Sequence, residues 1–464
     1  MHSGPDRSSV AGDRRSWDLP LLPGDLPSVE KRAVMPKGFR AGGLAAGIKP
    51  SGRPDLSIIA TTRDSAAVAA TFTRNQVVAA PIKLSRAHLN ATEATGGGKF
   101  GWADAIVATS GSANAATGVE GDSDQRDVSK AVASLLNTRP ERTLALSTGV
   151  IGIRLPMTRI KDGLVRLVPE LAETDAALES VAGALMTTDT KIKLATTSLA
   201  LPGPDGAPVT VTVSGIAKGV GMIHPRMATM LSVILTDASV APATLHALLS
   251  PIVQRTWNQL SVDGDTSTND TVFVLASGQS GASVAPASHE ATQLGRAIEA
   301  VARSLARQQA ADGEGASTLI TCQVSGAADD YDARAVARGV ISSSLLKAAV
   351  HGRDPNWGRV ASAAGNARLP DQEMLEAAGL HPAEAGPRAG RMPELDVDKL
   401  QIAIAGTLVF KGAPLLFDRD EVRKAMDAPE VVIRLHLGLG GGTGEAFGCD
   451  LTEQYVIENA EYTT

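Results

Sequence analysis

Residues 218–237 read KGVGMIHPRMATMLSVILTD, and the interpretation of the whole chain starts from this stretch. Two glycines and Pro225 lie in its first half, and these residues do not fit comfortably inside a helix. The apolar run 230–235 follows, and its periodicity fits either a buried strand or a core helix. Thr229 stands at the junction, directly after the small residue Ala228. The pattern therefore indicates a kinked loop that presents one hydroxyl at the start of a buried element.

A hydroxyl at such a junction can attack the carbonyl group that precedes it. If the bond between Ala228 and Thr229 breaks in this way, Thr229 becomes the first residue of a new chain and gains a free α-amine. That amine has an ordinary pKa of about 8 and can act as the general base for the hydroxyl, so no histidine or aspartate partner is needed. The alternative is that Thr229 is simply a β-branched residue packed in an apolar segment.

Composition narrows the classes of function. The 464 residues carry a formal net charge of −6, which argues against a nucleic-acid partner because such proteins usually present a basic surface. Two cysteines, Cys322 and Cys449, are too few for a disulfide framework and favour a reducing, cytoplasmic compartment. The sequence contains no CxxC and no HExxH pattern, so it does not imply a metal site. No apolar run approaches the roughly 18 residues of a membrane span.

Three regions follow from composition and from the junction. Residues 1–35 are rich in proline, glycine, serine and arginine and lack an apolar signal core, so we expect a mostly disordered N-terminal arm rather than a targeting peptide. Residues 36–228 then form a first segment, and residues 229–464 form a second segment that begins at Thr229. Strand patterns occur at 55–62, 67–72, 105–109, 143–146, 209–216, 400–405, 407–410 and 431–437. Helical patterns occur at 122–136, 164–187 (with a loop near 173–175), 242–260, 293–311 and 343–350.

Two further loops resemble known types of ligand-binding loop. The acidic, glycine-broken loop 261–271 is similar to a calcium loop but lacks a glutamate at the twelfth position. The glycine-rich run 438–444 invites a phosphate-binding interpretation, but the sequence after it predicts a strand, whereas a dinucleotide loop opens a helix. We therefore expect neither a calcium site nor a nucleotide site at these loops.

The segment KGVGMIHPRMATMLSVILTDA resembles the self-cleavage segment of the ornithine acetyltransferase family, also called the bifunctional glutamate N-acetyltransferase or ArgJ-type family of arginine biosynthesis. The resemblance covers about residues 36–464 and implies a layered α/β architecture of the ArgJ/DmpA type, folded as one unit and then cut between Ala228 and Thr229. Other runs resemble the family in matching order, namely PKGF (36–39), STGVIG (147–152), MTTDT (186–190), DTSTND (265–270) and GRDPNWGR (352–359).

The resemblance implies acetyl transfer from N2-acetylornithine to glutamate through an acetyl-Thr229 intermediate. The strand pattern at 143–146 followed by Ser147, Thr148 and Gly149 predicts a turn whose N–H groups and hydroxyl can point at one spot, as an oxyanion hole requires, although turns of this kind are common. The resemblance assigns the oxyanion hole to Thr148 and Gly149. Substrate contacts are implied for Thr187 (with Thr188 as second choice), Lys218, Glu314, Asn459 and Thr464, of which Lys218 receives the substrate carboxylate and Glu314 its ammonium group.

Supporting roles are expected for five residues outside these contacts. Asn269 and Asp270 are candidates to orient the α-amine of Thr229. The run 352–359 predicts a structural ion pair between Arg353 and Asp354, and Trp357 is expected to pack beneath the site.

The resemblance also has implications for cofactors and partners. It implies no bound cofactor, small-molecule substrates, and two chains that stay together as a heterotetramer of two α and two β chains. The sequence does not decide whether acetyl-CoA also serves as an acetyl donor to glutamate.

The residues leave three different functions open beside this one. His224, Arg226 and the altered loop 109–118 depart from the family pattern, so an acyltransferase of secondary metabolism with the same chemistry stays open. An N-terminal-threonine amidase or aminopeptidase would use the same nucleophile and pass the acyl group to water. An uncut scaffold that only binds amino acids would not cleave at Thr229.

Overall fold

A computed structural model describes residues 26–224 and 230–460 of the chain. The strands are β1 Phe39–Leu44, β2 Leu56–Thr61, β3 Ala66–Phe72, β4 Phe100–Ala103, β5 Ala105–Ser112, β6 Thr143–Val150, β7 Lys193–Pro202, β8 Pro208–Lys218, β9 Leu231–Thr236, β10 Ser239–Val240, β11 Leu260–Ser261, β12 Thr271–Ala276, β13 Ser283–Val284, β14 Leu319–Ala327, β15 Gln401–Ile404, β16 Thr407–Lys411, β17 Glu430–His436 and β18 Gly442–Cys449. The helices are α1 Ala80–Thr92, α2 Gly118–Leu136, α3 Met157–Leu167, α4 Asp175–Leu185, α5 Pro242–Arg255, α6 His289–Ala311, α7 Asp330–Ile341, α8 Ser344–His351, α9 Trp357–Gly365, α10 Gln372–Ala377, α11 Pro382–Arg388, α12 Arg419–Ala425 and α13 Glu453–Ala460.

Three large sheets organise these strands. The central sheet has the order β4-β3-β12-β9-β8-β7, the four-stranded sheet has the order β1-β2-β5-β6, and the C-terminal sheet has the order β11-β18-β14-β17-β15-β16. The short strands β10 and β13 pair separately. The predicted α/β fold class is confirmed.

The apolar run after Thr229 is a strand. β9 pairs in parallel with β12 and antiparallel with β8, in the middle of the central sheet. Its alternate side chains enter different cores, with Leu231 and Val233 on one face and Ile234 on the other. A strand that is buried on both faces shows a continuous apolar run instead of alternation, which is why periodicity alone did not distinguish it from a helix.

The sheets and helices stack in layers. One face of the central sheet is covered by α5 and α6, which contribute Leu249 and Ile298 to the shared core. Its other face packs against the four-stranded sheet and α4, with Ile59 and Val181 among the buried residues. The outer face of the four-stranded sheet is covered by α2 and α3. The C-terminal sheet forms a separate core with α7, α8 and α9.

Strands from both sides of the predicted cut share the central sheet. β8 precedes the junction and β9 follows it, and the two are paired from Val213–Thr236 to Lys218–Leu231. A break at the junction therefore leaves the two segments joined by a hydrogen-bonded ladder and by one core.

Part of the predicted N-terminal arm is ordered, which corrects its boundary at residue 35. Glu30 and Thr196 exchange backbone hydrogen bonds of 2.8 Å, so this segment extends the edge of β7. The hydroxyl of Thr197 donates to the carbonyl of Ser28. The composition of the arm gave no signal for this pairing, because the partner strand lies far along the chain.

Several helix boundaries also differ from the sequence prediction. The predicted helical segment 164–187 is interrupted before α4, as the expected loop near 173–175 indicates, but α3 already ends at Leu167, where a 3-10 turn that contains Pro169 follows it. The predicted helix 242–260 stops at Arg255. Within the described ranges, no helix has the length and apolarity that crossing a membrane requires.

Candidate active site

Thr148 and Gly149 lie near the end of β6, not in a turn after it. The strand continues to Val150 because Ser147, Thr148 and Gly149 pair with β5, and the register shifts at this point. The predicted turn at 147–149 is therefore wrong, and a bulged strand end takes its place. Thr148 is largely buried, with 9% of its surface exposed.

Gly149 is required by its backbone conformation and by its neighbour on β5. Its φ angle is +126°, a region that side-chain-bearing residues rarely adopt. A Cβ at this position would lie 2.4 Å from the carbonyl carbon of Gly111. Any substitution would therefore push the two strands apart at the place where the oxyanion hole is predicted.

Lys218 joins the central sheet to the four-stranded sheet at this place. Its Nζ, at the end of β8, donates to Thr148 Oγ1 at 3.1 Å. A threonine hydroxyl has one proton to donate and two lone pairs. Because Lys218 uses a lone pair, the proton of Thr148 stays available to donate to a negatively charged oxygen. The contact is compatible with the oxyanion role that the resemblance implies for Thr148.

A buried cluster of charges supports Lys218. Lys193 Nζ lies 2.7 Å from Asp189 Oδ1 and 2.6 Å from Asp312 Oδ2, and all three side chains are at least 93% buried. Asp189 also accepts the backbone N–H of Gly219, directly after Lys218. Such an arrangement fixes the end of β8, because removing one member would leave an uncompensated buried charge.

The pKa values around this cluster follow from burial and charge. Burial lowers the pKa of the Lys218 ammonium group below its ordinary value, while Asp189 and Glu314 oppose the shift. Burial would raise the pKa of Asp189, but Lys218, Lys193 and the Gly219 N–H outweigh it and lower this pKa to about 2. Asp189 is therefore ionised at neutral pH.

Glu314 is the centre of a second group of side chains. Its Oε1 accepts the hydroxyl of Thr188 at 2.8 Å, and its Oε2 accepts the amide of Asn459 at 3.0 Å. Thr188 belongs to the loop after α4, and Asn459 to the C-terminal helix α13. Thr188, which was the second choice for a substrate contact, is therefore the threonine that contacts Glu314. The first choice, Thr187, donates its backbone N–H to Asp189.

Residues 219–221 connect Lys218 to Glu314. The backbone N–H of Glu314 donates to the carbonyl of Val220 at 2.8 Å. A Cβ on Gly221 would lie 2.1 Å from Glu314 Oε2, so a side chain here would displace the carboxylate. A cation and an anion therefore face the same short glycine-rich segment.

The loop after β11 supports the strand that carries Thr148. The amide of Asn269 donates to the carbonyl groups of Ala113 and Ser147, at 2.6 and 2.8 Å. Its side-chain oxygen accepts the hydroxyl of Thr268. The amide thus braces β6 one residue before Thr148. The expected orientation of the Thr229 α-amine by Asn269 and Asp270 involves a residue outside the described part of the chain and stays a prediction. Asp263 accepts the backbone N–H groups of Met222 and Ile223, which anchors the loop before the junction.

Some predicted residues lie outside the described part of the chain, and others have different partners. Ala228, Thr229 and Thr464 belong to the first group. The predicted pair of Arg353 and Asp354 is wrong, because Arg353 pairs with Asp427 and Asp354 with Arg419. Both changes of partner arise where the loop after α8 meets α12.

Trp357 likewise differs from its predicted position. It stacks on Phe410 of β16, with ring centroids 4.8 Å apart, in the core of the C-terminal sheet. It starts α9, which packs on this sheet, so the expected packing beneath the site is corrected.

The sequence interpretation missed three charged residues that hold the site, Asp189, Lys193 and Asp312. Asp189 belongs to the quoted MTTDT run, and an acidic residue in a run of hydroxyls was the available signal. Lys193 gave none, because a lysine at the start of a strand is usually exposed. Lys49 was also missed. It donates to the carbonyl of Met186, and burial lowers its pKa to about 8.

Comparisons with known proteins agree over nearly the whole chain. Residues 40–464 match the model of the ArgJ family. The chain is 41% identical over 452 residues to the arginine biosynthesis bifunctional protein ArgJ of Synechocystis sp., an alignment that covers 95% of this chain and 100% of that protein. It is 42% identical over 430 residues to the ArgJ protein of Thermus thermophilus, with 93% and 99% covered.

Two solved structures are similar to parts of this chain. The bifunctional protein ArgJ from Bacillus halodurans is 37% identical, with a TM-score of 0.44, and the match covers 50% of this chain and 100% of that one. The ornithine acetyltransferase of Mycobacterium tuberculosis, complexed with ornithine, is 36% identical, with a TM-score of 0.38, and the match covers 43% and 99%.

Proposed function

Because the chain belongs to the ArgJ family of acyltransferases in arginine biosynthesis, we propose that it transfers the acetyl group of N2-acetylornithine to glutamate through Thr229. The products are ornithine and N-acetylglutamate. The relatives are named bifunctional proteins. Use of acetyl-CoA as a second donor is not required by this proposal, which needs no bound cofactor.

The observation that carries the proposal is the opposed pair of charges along residues 219–221. Lys218 lies at one end of this segment, and Glu314 is hydrogen-bonded to Val220 within it. A free or acylated amino acid offers a carboxylate to Lys218, and ornithine also offers an ammonium group to Glu314. Charge-assisted contacts of this kind fix orientation as well as affinity. Thr188 and Asn459 hold the carboxylate of Glu314 in position for such a contact.

The proposed chemistry has two acyl-transfer steps. First, Thr229 Oγ attacks the acetyl carbonyl group, and the α-amine of Thr229 takes the hydroxyl proton. The C–N bond to ornithine breaks, and the departing amine receives that proton. In the second step, the α-amine of glutamate attacks the acetyl ester and the C–O bond breaks. The Thr229 oxygen takes the proton that the glutamate amine loses, which restores the hydroxyl. One amide is exchanged for another, so little net driving force is needed.

Thr148 and Gly149 are the proposed oxyanion donors. The Thr148 proton is free to donate because Lys218 occupies a lone pair of the same oxygen. Donors held in place before the reaction stabilise the negative charge that develops on the carbonyl oxygen. The burial of Thr148 and the restricted backbone of Gly149 support this role.

The proposal includes a cytoplasmic location. It also includes cleavage between Ala228 and Thr229. The shared central sheet supports cleavage after folding, because β8 and β9 pair only in the folded chain. The two resulting chains, 1–228 and 229–464, are proposed to stay together and to form a heterotetramer of two α and two β chains.

An exchange assay tests the function. The purified protein is incubated with N2-acetylornithine, with and without glutamate, and free ornithine is measured. We expect ornithine release to depend on glutamate after the first turnover. Release at the same rate without glutamate would identify a hydrolase and contradict the proposal.

A further inference from the structure

Lys49 brings another ammonium group to the edge of the acyl-transfer site. It lies in the connection between β1 and β2 and is half-buried. There the buried carboxylate of Asp55 accepts the backbone N–H groups of residues 46, 48 and 49, at 2.6, 2.6 and 2.9 Å. Three hydrogen bonds to one carboxylate fix the backbone that carries Lys49, so its side chain starts from a defined position.

The side chain of Lys49 runs past the strands that carry the proposed oxyanion hole. A Cβ on Gly111 would lie 3.3 Å from Lys49 Cγ, and Gly111 pairs with Gly149 across β5 and β6. Farther out, Lys49 Nζ donates to the carbonyl of Met186 at 2.6 Å. Met186 directly precedes Thr187, a predicted substrate contact. Lys49 therefore lies between the predicted oxyanion donors and the loop after α4.

The charge of Lys49 is not matched by a carboxylate. Its other hydrogen bond goes to the carbonyl of Pro54 at 2.7 Å, and within residues 26–224 and 230–460 its ammonium group makes no ion pair. An ammonium group has three N–H donors, so one is left for a ligand. Lys193 differs in this respect, because two aspartates already neutralise it.

The electrostatic surroundings of Lys49 include Lys218. Burial lowers the pKa of Lys49 to about 8, Asp55 opposes the shift, and the charge of Lys218 adds to it. Two cationic groups are thus close enough to influence each other. A bound carboxylate would stabilise the charged form of both.

The two amino acids of the proposed exchange need different numbers of cations. Acetylornithine carries one carboxylate and one ammonium group, which Lys218 and Glu314 can match. Glutamate carries two carboxylates, and its amine must be uncharged when it attacks. Lys218 can neutralise one of these carboxylates, and Glu314 would repel the other. Lys49 would attract it, because opposite charges in a partly buried site interact strongly.

We propose that Lys49 binds the second carboxylate of the acceptor and so selects a dicarboxylic amino acid over one with a single carboxylate. This assignment rests on the proposed function, since it concerns the acceptor of that reaction. Lys49 makes and breaks no bond. It contributes a charge-assisted hydrogen bond from its third N–H, which is a contact that acetylornithine does not need.

Kinetics of Lys49→Met with two acceptors test this inference. We expect KM for glutamate to rise about tenfold or more, because one charge-assisted contact is lost, and kcat to change only a few-fold. Exchange of acetylornithine with isotopically labelled ornithine, which has no second carboxylate, should be affected much less. Lys49→Arg keeps the charge and should restore most of the affinity for glutamate. Equal losses with both acceptors would show a structural role and would overturn the inference.

Calorimetric titration of the full-length protein separates this inference from the proposed function, because no acetyl group is transferred. Lys49→Met should bind glutamate about tenfold more weakly than the wild type and should lose the preference for glutamate over glutamine. The matched control is Lys161→Met, which removes an exposed lysine from α3 and should change neither property. Thermal unfolding checks that all variants are folded.

The two assays fail in different ways. Unchanged glutamate affinity in Lys49→Met, or no glutamate binding by the wild type, would overturn the inference even if acetyl transfer is observed. Glutamate binding that depends on Lys49, together with ornithine release that does not depend on glutamate, would overturn the proposed transfer and leave the binding role of Lys49 intact.

Discussion

The two charged groups of the site are held in different ways. Lys218 and Thr148 come from strands of two packed sheets, and the buried charges of Asp189, Lys193 and Asp312 fix the end of β8. Glu314, by contrast, lies in a loop after α6 and is reached by one loop side chain and one side chain of the C-terminal helix. A rigid framework suits oxyanion stabilisation, because its donors must be in place before charge develops. The more exposed Glu314 region suits selection of the substrate.

The largest effect is expected on the rigid side, from Thr148→Val. This change keeps the shape of the side chain and removes the hydroxyl. We expect kcat to fall about 100- to 1000-fold, as for the loss of one oxyanion donor, with a smaller change in KM. Thr148→Ser keeps the hydroxyl and is the control. Steady-state kinetics that show equal losses for the valine and serine variants would contradict the oxyanion role.

A different signature is expected on the selective side, from Glu314→Gln. Loss of the carboxylate should raise KM for acetylornithine about 10- to 100-fold, because that factor corresponds to the free energy of one hydrogen bond to a charged group. The value of kcat should change only a few-fold. Glu179→Gln, on the exposed face of α4, is the matched control for loss of one negative charge. A fall in kcat without a rise in KM would show that Glu314 acts in the chemistry and would remove the distinction between the two regions.

The fold was predictable where side-chain patterns are local. Strands such as β2, β3 and β5 and helices such as α2 and α6 follow from β-branched runs and helical periodicity. β9 was ambiguous because it is buried on both faces, and only its two neighbouring strands decide its structure. The edge pairing of Glu30 with Thr196 was missed because it joins distant parts of the chain.

The site shows the same limit. Motifs drew attention to Thr148, Lys218 and Glu314, since each lies in or beside a recognisable run. Lys193 and Asp312 were missed because burial and pairing give these charges their role, and a sequence does not display burial. Asn269 was recognised as part of the site, but its partners, the carbonyl groups of Ala113 and Ser147, depend on the meeting of two sheets.

The charge of Asp189, which helps to fix the end of β8, makes a measurable contribution to the free energy of unfolding. The pKa of Asp189 is lowered from its ordinary value of 3.8 to about 2. Its contribution to stability is therefore fully present above pH 4 and is lost as the pH falls through about 2. The shift corresponds to about 2 kcal/mol. The stability difference between the wild type and Asp189→Asn should thus shrink by this amount between about pH 6 and about pH 2.

Thermal unfolding at fixed protein concentration measures this difference, because the assembly state also affects the melting temperature. Glu179→Gln, which removes an exposed carboxylate, should show no comparable pH dependence. A constant difference between the wild type and Asp189→Asn across the acid range would mean that Asp189 does not stabilise the site through its charge.

The smallest effect is expected in the alkaline range. Burial lowers the pKa of Lys218, and Asp189 counteracts that shift. Substrate binding needs the ammonium form, so KM should rise as the pH increases through this pKa. In Asp189→Asn the counteracting charge is absent, so the pKa of Lys218 should fall further and the rise in KM should begin at a lower pH. KM profiles from about pH 7 to about pH 10 test this, and superimposable profiles would argue against coupling between the two residues.

The most direct test is intact-mass spectrometry of the mature protein after incubation with N2-acetylornithine in the absence of glutamate. The account predicts two fragments that separate between Ala228 and Thr229, with one added acetyl group on the second fragment, located at Thr229 and removed when glutamate is supplied. A single uncut chain, a fragment that begins at another residue, or an acetyl group that resides elsewhere would contradict it.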